Sequence, residues 1–295
     1  LGASVAFVVS MAFTDFLLPL PESILAATPP TGFFSLGNAT LFNAVVNAGI
    51  LLWAARRSSL RGTMLWLQLA ALSFGAQTFQ TQIETGYFLP AFPLLVGNWV
   101  LHQLVVRGLV VSLLFTLAVT ALAGGFSKQP RRQGAFTVSA AKSLQAGAWL
   151  GAVYYALYAL FGYFVAWQYQ EVRLFYGGPA ELNSFWDQWA LTLMTMPEIP
   201  FFQYFRGLLW LLCLIPVFMG FSGKRSELVV FSSLALALLP TAQLAFPNPL
   251  MPAGVSLAHF WEVSISTGLF GALCAWYVPQ PSLQAATKVR KLSLV

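Results

Sequence analysis

Long apolar runs separated by short polar interruptions make up most of the chain. They cover roughly 3–20, 40–55, 63–84, 97–122, 144–168, 201–221, 228–246 and 254–278. A helix needs roughly 20 apolar residues to cross the hydrocarbon core, and each run is that long or nearly so. The second is short and is expected to begin earlier, near Phe33. The pattern predicts an all-α fold, a polytopic transmembrane bundle of about eight spans forming one membrane domain over 1–295. Gly147 and Gly151 in the fifth run form a small-xxx-small face suited to close helix packing.

Composition agrees: 58% of the 295 residues are hydrophobic and 8% charged, against about a quarter charged in a soluble domain. The charges then orient the runs. Arg56, Arg57 and Arg61 follow the second run, and Lys128, Arg131, Arg132 and Lys142 follow the fourth. Lys224 and Arg225 follow the sixth, and Lys288, Arg290 and Lys291 lie in the tail. The alternate loops carry Glu22, Glu171, Glu181, Asp187 and Glu198, with Arg173 as their only base. Twelve of the 15 basic residues therefore share one side. Lys and Arg accumulate on the inside, so both termini are expected in the cytoplasm, and the membrane to be a bacterial-type inner membrane.

The net charge of +6 does not point to nucleic acid, because the bases are spread over short loops and not gathered in a groove with stacking aromatics. Cys213 and Cys274 fall inside runs and read as buried apolar side chains. A chain opening on Leu1 is expected to be part of a longer or processed polypeptide. No basic segment precedes the first run, so a signal peptide is not expected.

The connection over 169–200 is the only long external loop. Its middle, 182–195, reads as a short helix with Trp186, Trp189 and Leu193 on an apolar side, either an interfacial anchor or a lid over an outward opening. Pro197 and Pro200 end it.

Strongly polar residues inside the runs concentrate in the outer half. His259 and Glu262 enter with the eighth run, His102 and Arg107 with the fourth, and Gln203 and Arg206 with the sixth. Asn43 and Asn47 share a face of the second at i, i+4 spacing. Glu84 closes the third, Asp15 the first, and Gln243 lies in the seventh. Burying such groups in lipid is costly, so they mark a functional site by default. The expectation is a polar cavity open to the exterior, built by the third, fourth, sixth and eighth runs over an apolar floor. Ion pairs that only fix helix register, Arg206–Glu262 and Arg107 with Glu84 or Asp15, are the structural alternative.

Three function classes follow. In the first, the protein binds or transports a small anionic or amphiphilic molecule. Arg206 and Arg107 would hold an anion, Glu262 with His259 would titrate, and Glu84, Gln203, Asn43 and Asn47 would complete the site. In the second, His102 and His259, at matched depth, ligate a haem or, with a carboxylate, a metal. A faint 4+4 repeat, 1–126 and 140–278, would make them equivalent. In the third, the chain is an accessory subunit whose partners are lipids and other membrane proteins. No G-x-S-x-G, H-E-x-x-H or P-loop signature is present, and enzymatic activity is not the favoured reading.

Overall fold

The computed structural model describes residues 1–26, 32–97, 99–127 and 134–281. Of the basic positions used to orient the chain, Lys128, Arg131, Arg132, Lys288, Arg290 and Lys291 lie outside them. The described fold is an all-α bundle. Its helices are α1 (Gly2–Leu17), the single turn α2 (Glu22–Leu25), α3 (Leu36–Arg57), α4 (Gly62–Ser73), α5 (Gln80–Tyr87), α6 (Val100–Leu122), α7 (Ala140–Phe164), α8 (Gln170–Phe175), α9 (Phe185–Thr195), α10 (Ile199–Gly220), α11 (Arg225–Leu238) and α12 (Ala253–Tyr277).

Among the described residues, five helical segments are long and apolar enough to cross a membrane: Leu36–Arg57, Val100–Leu122, Ala140–Gln168, Ile199–Gly220 and Arg225–Ala245. Gly2–Leu17 is a shorter apolar helix. Several such helices in one chain fit an integral membrane protein.

Local chemistry sets the boundaries. The Ser35 hydroxyl caps α3 by accepting from Asn38 N. Pro200 occupies the first turn of α10, where its missing N–H costs nothing. The α11 helix stops just short of Pro240 and passes into a 3₁₀ turn, Ala242–Ala245. Helix packing is closest where glycines stand. A Cβ on Gly207 of α10 would come within 2.7 Å of Tyr154 Cβ and 3.1 Å of Gly151 Cα on α7. The Gly147–Gly151 face thus meets α10. A Cβ on Gly268 of α12 would likewise come within 3.5 Å of the Ser233 carbonyl of α11. The core between these pairs holds Phe115, Trp210, Phe218, Phe231 and Phe270, all essentially solvent-free.

The third apolar run is continuous but not uniform. Between α4 and α5 the chain makes a π turn, Phe74–Phe79, while the flanking residues Ser73 and Gln80 keep ordinary right-handed helical angles. The rod from Gly62 to Tyr87 therefore carries one wide turn near its middle. No proline marks it in the sequence. At the end of the bundle near Arg57, β1 (Phe136–Thr137) pairs antiparallel with β2 (Gln280–Pro281), and Ser58 bridges to Phe221.

Candidate functional site

The eighth run folds as α12, which begins directly after Pro252. His259 and Glu262 lie three residues apart and so share a face. His259 Nδ1 is 2.9 Å from Glu262 Oε2, and its Nε2 is 3.0 Å from the Tyr176 hydroxyl. An ionised carboxylate only accepts, so Nδ1–H donates to Glu262 and a neutral imidazole accepts the Tyr176 proton at Nε2. Glu262 is buried, with 7% of its side chain exposed. The result is a directional chain, Tyr176 to His259 to Glu262.

Tyr176 stands on a segment that apolar periodicity does not announce. Its placement comes from Arg173, whose buried guanidinium donates to four backbone carbonyls: Trp167 (2.7 Å), Gln168 (3.2 Å), Pro179 (3.3 Å) and Ala180 (2.7 Å). Arg173 is thus a staple that folds 167–180 into a cap. Gly177, at φ +73°, supplies the left-handed residue this turn needs. Burial, then the carboxylates of Glu84 and Glu262, push the Tyr176 pKa well up, with Arg206 opposing. The phenol is a proton donor at any ordinary pH.

Behind this chain lies a second polar pair. Arg206 of α10 grips Glu84 of α5 with both terminal nitrogens, at 2.6 and 2.8 Å. It also donates to Gln203 Oε1 (3.0 Å) and to the Gln80 carbonyl (3.3 Å). Tyr154 and Phe202 present ring faces to the guanidinium at 5.9 and 5.8 Å. Arg206 is thereby compensated on every side but one, its Nε lacking a partner.

Glu84, His259 and Glu262 face a cavity of about 420 Å³. Phe88, Tyr158, Tyr163, Trp167, Tyr176 and Trp189 are among its lining residues, with Gln188 and Thr192 of α9 and Met196 beyond it. The 182–195 helix is present as 185–195, and Trp189 is the indole it turns to the cavity. Trp186 and Leu193, expected on the same face, are instead exposed.

The remaining expected residues lie elsewhere. Arg107 bonds Asp15 and the Leu18 carbonyl, and Gln103 donates to the Pro19 carbonyl at 2.6 Å. Together they cap the open carbonyl end of α1, where positive charge is favoured. Asn43 donates to the carbonyl of Ala242 at 2.5 Å, and Asn47 to that of Asn43 at 3.0 Å. Gln243 donates to the Gln77 carbonyl in the π turn at 2.9 Å. The Asn43 and Gln243 amides thus reach backbone carbonyls of the irregular turns, while Asn47 bonds a carbonyl within its own helix. His102 is exposed on α6, against Trp99 at 5.1 Å between ring centroids, and does not line the cavity. It is therefore not presented opposite His259 as a second axial ligand. Among the described residues, no group of three or more His, Cys, Asp or Glu side chains is placed to hold a metal ion. The expected Arg206–Glu262 pair is also exchanged: Arg206 takes Glu84, and Glu262 takes His259.

No family model, curated protein or solved structure matches this chain. The functional reading therefore rests on the geometry of the site.

Proposed function

We propose that this is an eight-span inner-membrane protein with cytoplasmic termini, whose cavity opens outward and binds a small amphiphilic molecule. The carrying observation is a cavity of about 420 Å³ whose lining combines six aromatic rings with Glu84, His259 and Glu262. That volume lies within the common range for small-molecule sites, about 300–1,000 Å³. Both arginines expected to hold an anion are already engaged, Arg107 by Asp15 and Arg206 by Glu84. The anionic half of the sequence expectation loses its support accordingly. The carboxylates are engaged as well, Glu84 by Arg206 and Glu262 by His259, so the aromatic faces carry the preference: they favour a ligand with an apolar body and a cationic or hydrogen-bonding head.

The α9 helix contributes Gln188, Trp189 and Thr192 to the wall, and the Tyr176–His259–Glu262 chain, whose protons are already donated along it, offers the bound head acceptor oxygens. Tryptophan fluorescence tests this, since Trp167 and Trp189 line the space. In nanodiscs, short-chain alkyltrimethylammonium and alkyl glycoside should give saturable changes that Trp189→Phe diminishes. Tighter binding of an alkyl sulfate of equal chain length would overturn the assignment of ligand charge.

A further inference from the structure

The α9 helix has two faces of different character. Gln188, Trp189, Leu191, Thr192 and Thr195 line the cavity. Trp186, Ala190, Leu193 and Met194 stand exposed on the opposite side, at the i, i+4, i+7, i+8 spacing of one stripe. Asp187 is the one charge in the helix, and it lies in the first turn, where the Ser184 hydroxyl donates to it at 2.6 Å. The rest of α9 is uncharged.

Ring contacts set the depth of this stripe. Phe185 meets Tyr163 and Phe164 near the end of α7, at 5.2 and 5.5 Å between centroids. Trp189 meets Tyr155 at 5.7 Å, and Tyr155 precedes Phe164 by nine residues, roughly 14 Å along the helix. The segment Ala140–Gln168 is long and apolar enough to cross a membrane, so α9 runs beside a spanning helix and not above it. Phe164 is itself exposed and stacks on Phe185, whose ring meets Trp186 at 4.9 Å. The apolar outer surface of α7 is thereby continuous with the stripe on α9. Between the Tyr155 and Tyr163 contacts, α7 lines the cavity with Tyr158, Ala159 and Gly162. A Cβ built on Gly162 would meet nothing within 4 Å, so the wall is open there.

We propose that the Trp186–Met194 stripe lies among acyl chains of the outer leaflet, and that the gap beside Gly162 admits a single-chain amphiphile into the cavity sideways from the bilayer. This route rests on the amphiphile reading of the cavity and adds that the ligand arrives dissolved in the membrane. Photolabelling of the full chain in nanodiscs tests it. The probes are two alkyltrimethylammonium ions with a diazirine in the chain, one short and water-borne, one long and preloaded into the bilayer. Peptide mapping should find the long-chain probe both on the 186–194 stripe and at cavity residues such as Tyr158 and Trp167. Cyclodextrin in the buffer, which captures any probe leaving the bilayer, should not prevent cavity labelling while the stripe is still labelled. Gly162→Leu should abolish the cavity label and spare the stripe, whereas Gly162→Ala, whose methyl has room, should keep both. An unlabelled stripe would overturn its place among acyl chains. Loss of the cavity label to cyclodextrin alone, or cavity labelling by the short-chain probe alone, would overturn the lateral route and leave the amphiphile site standing. An undiminished cavity label in Gly162→Leu would overturn the gap as the entrance. Cavity labelling by neither probe would overturn the amphiphile site itself.

Discussion

Replacing Glu84 with Gln tests whether the Arg206 pair holds the bundle together. The substitution keeps shape and one acceptor oxygen but removes the charge facing a guanidinium whose side chain is 4% exposed. Two charge-assisted bonds, at 2.6 and 2.8 Å, are weakened at once. Breaking a buried pair from one side costs about 3–5 kcal/mol. The low end applies, because Gln203 Oε1 and the Gln80 carbonyl still accept from Arg206 and Glu84 is 29% exposed. About 3 kcal/mol corresponds to a fall in Tm of roughly 6 °C at about 2 °C per kcal/mol for a large domain. Thermal unfolding in one detergent, read by intrinsic fluorescence, measures it. Combining Glu84→Gln with Arg206→Gln should cost less than the sum of the single changes, since neither charge is then stranded, with a coupling of about 2 kcal/mol. A fall under about 1 °C for the single variant, or strict additivity in the double, would refute a stabilising pair.

Three further outcomes follow from the same geometry. Arg173→Lys loses the fork that reaches four carbonyls, so protease cleavage within 167–180 should accelerate by at least about tenfold while the core melts within about 2 °C of the parent. Gly207→Ala places a methyl against Tyr154 and Gly151 across the α7–α10 contact and should cost about 1–3 kcal/mol by overpacking, readable as a lower Tm. Tyr87 lies just beyond the end of the third predicted span, and burial together with its hydrogen bond to Glu198 pushes its pKa from 10.0 up to about 12. Because the folded value is the higher one, its contribution to stability is complete below about pH 10 and is lost as pH rises through about 12; phenolate absorbance compared with Tyr87→Phe should show that residue titrating late.

Spacing along a helix was legible in the sequence, and angular position was not. His259 and Glu262 are three apart on one helix, so their contact follows from helical spacing alone. The matched depth expected for His102 and His259 rests equally on counting residues, and His102 lies exposed on α6. Which way a residue faces depends on which helices are neighbours, and for runs apolar all round no periodic stripe reveals that. The same gap explains why Arg206 takes Glu84 instead of Glu262. Asn43, Asn47 and Gln243 drew the eye as intramembrane polar groups. That Asn43 and Gln243 reach carbonyls of the 3₁₀ and π turns became readable only with those turns in view, and Asn47 bonds a carbonyl of its own helix. Tyr176 and Arg173 were hidden for another reason: they act from a cap, where hydrogen bonds to backbone carbonyls, not hydrophobic pattern, decide the conformation.

The wide turn at Phe74–Phe79 has a consequence for how this architecture tolerates insertions and deletions. Such a turn accommodates one residue more than regular α-helix at the same place, and one residue in an α-helix is about 100° of rotation. Excising a single residue inside 74–79 lets the rod relax to uniform α-helix with Arg61 and Glu84 still aimed as before. The same excision in 63–72 swings Glu84 away from Arg206. A related chain one residue shorter within that hexapeptide would thus be spliced without loss of its salt bridge, making it the indel-permissive joint of an otherwise rigid strut.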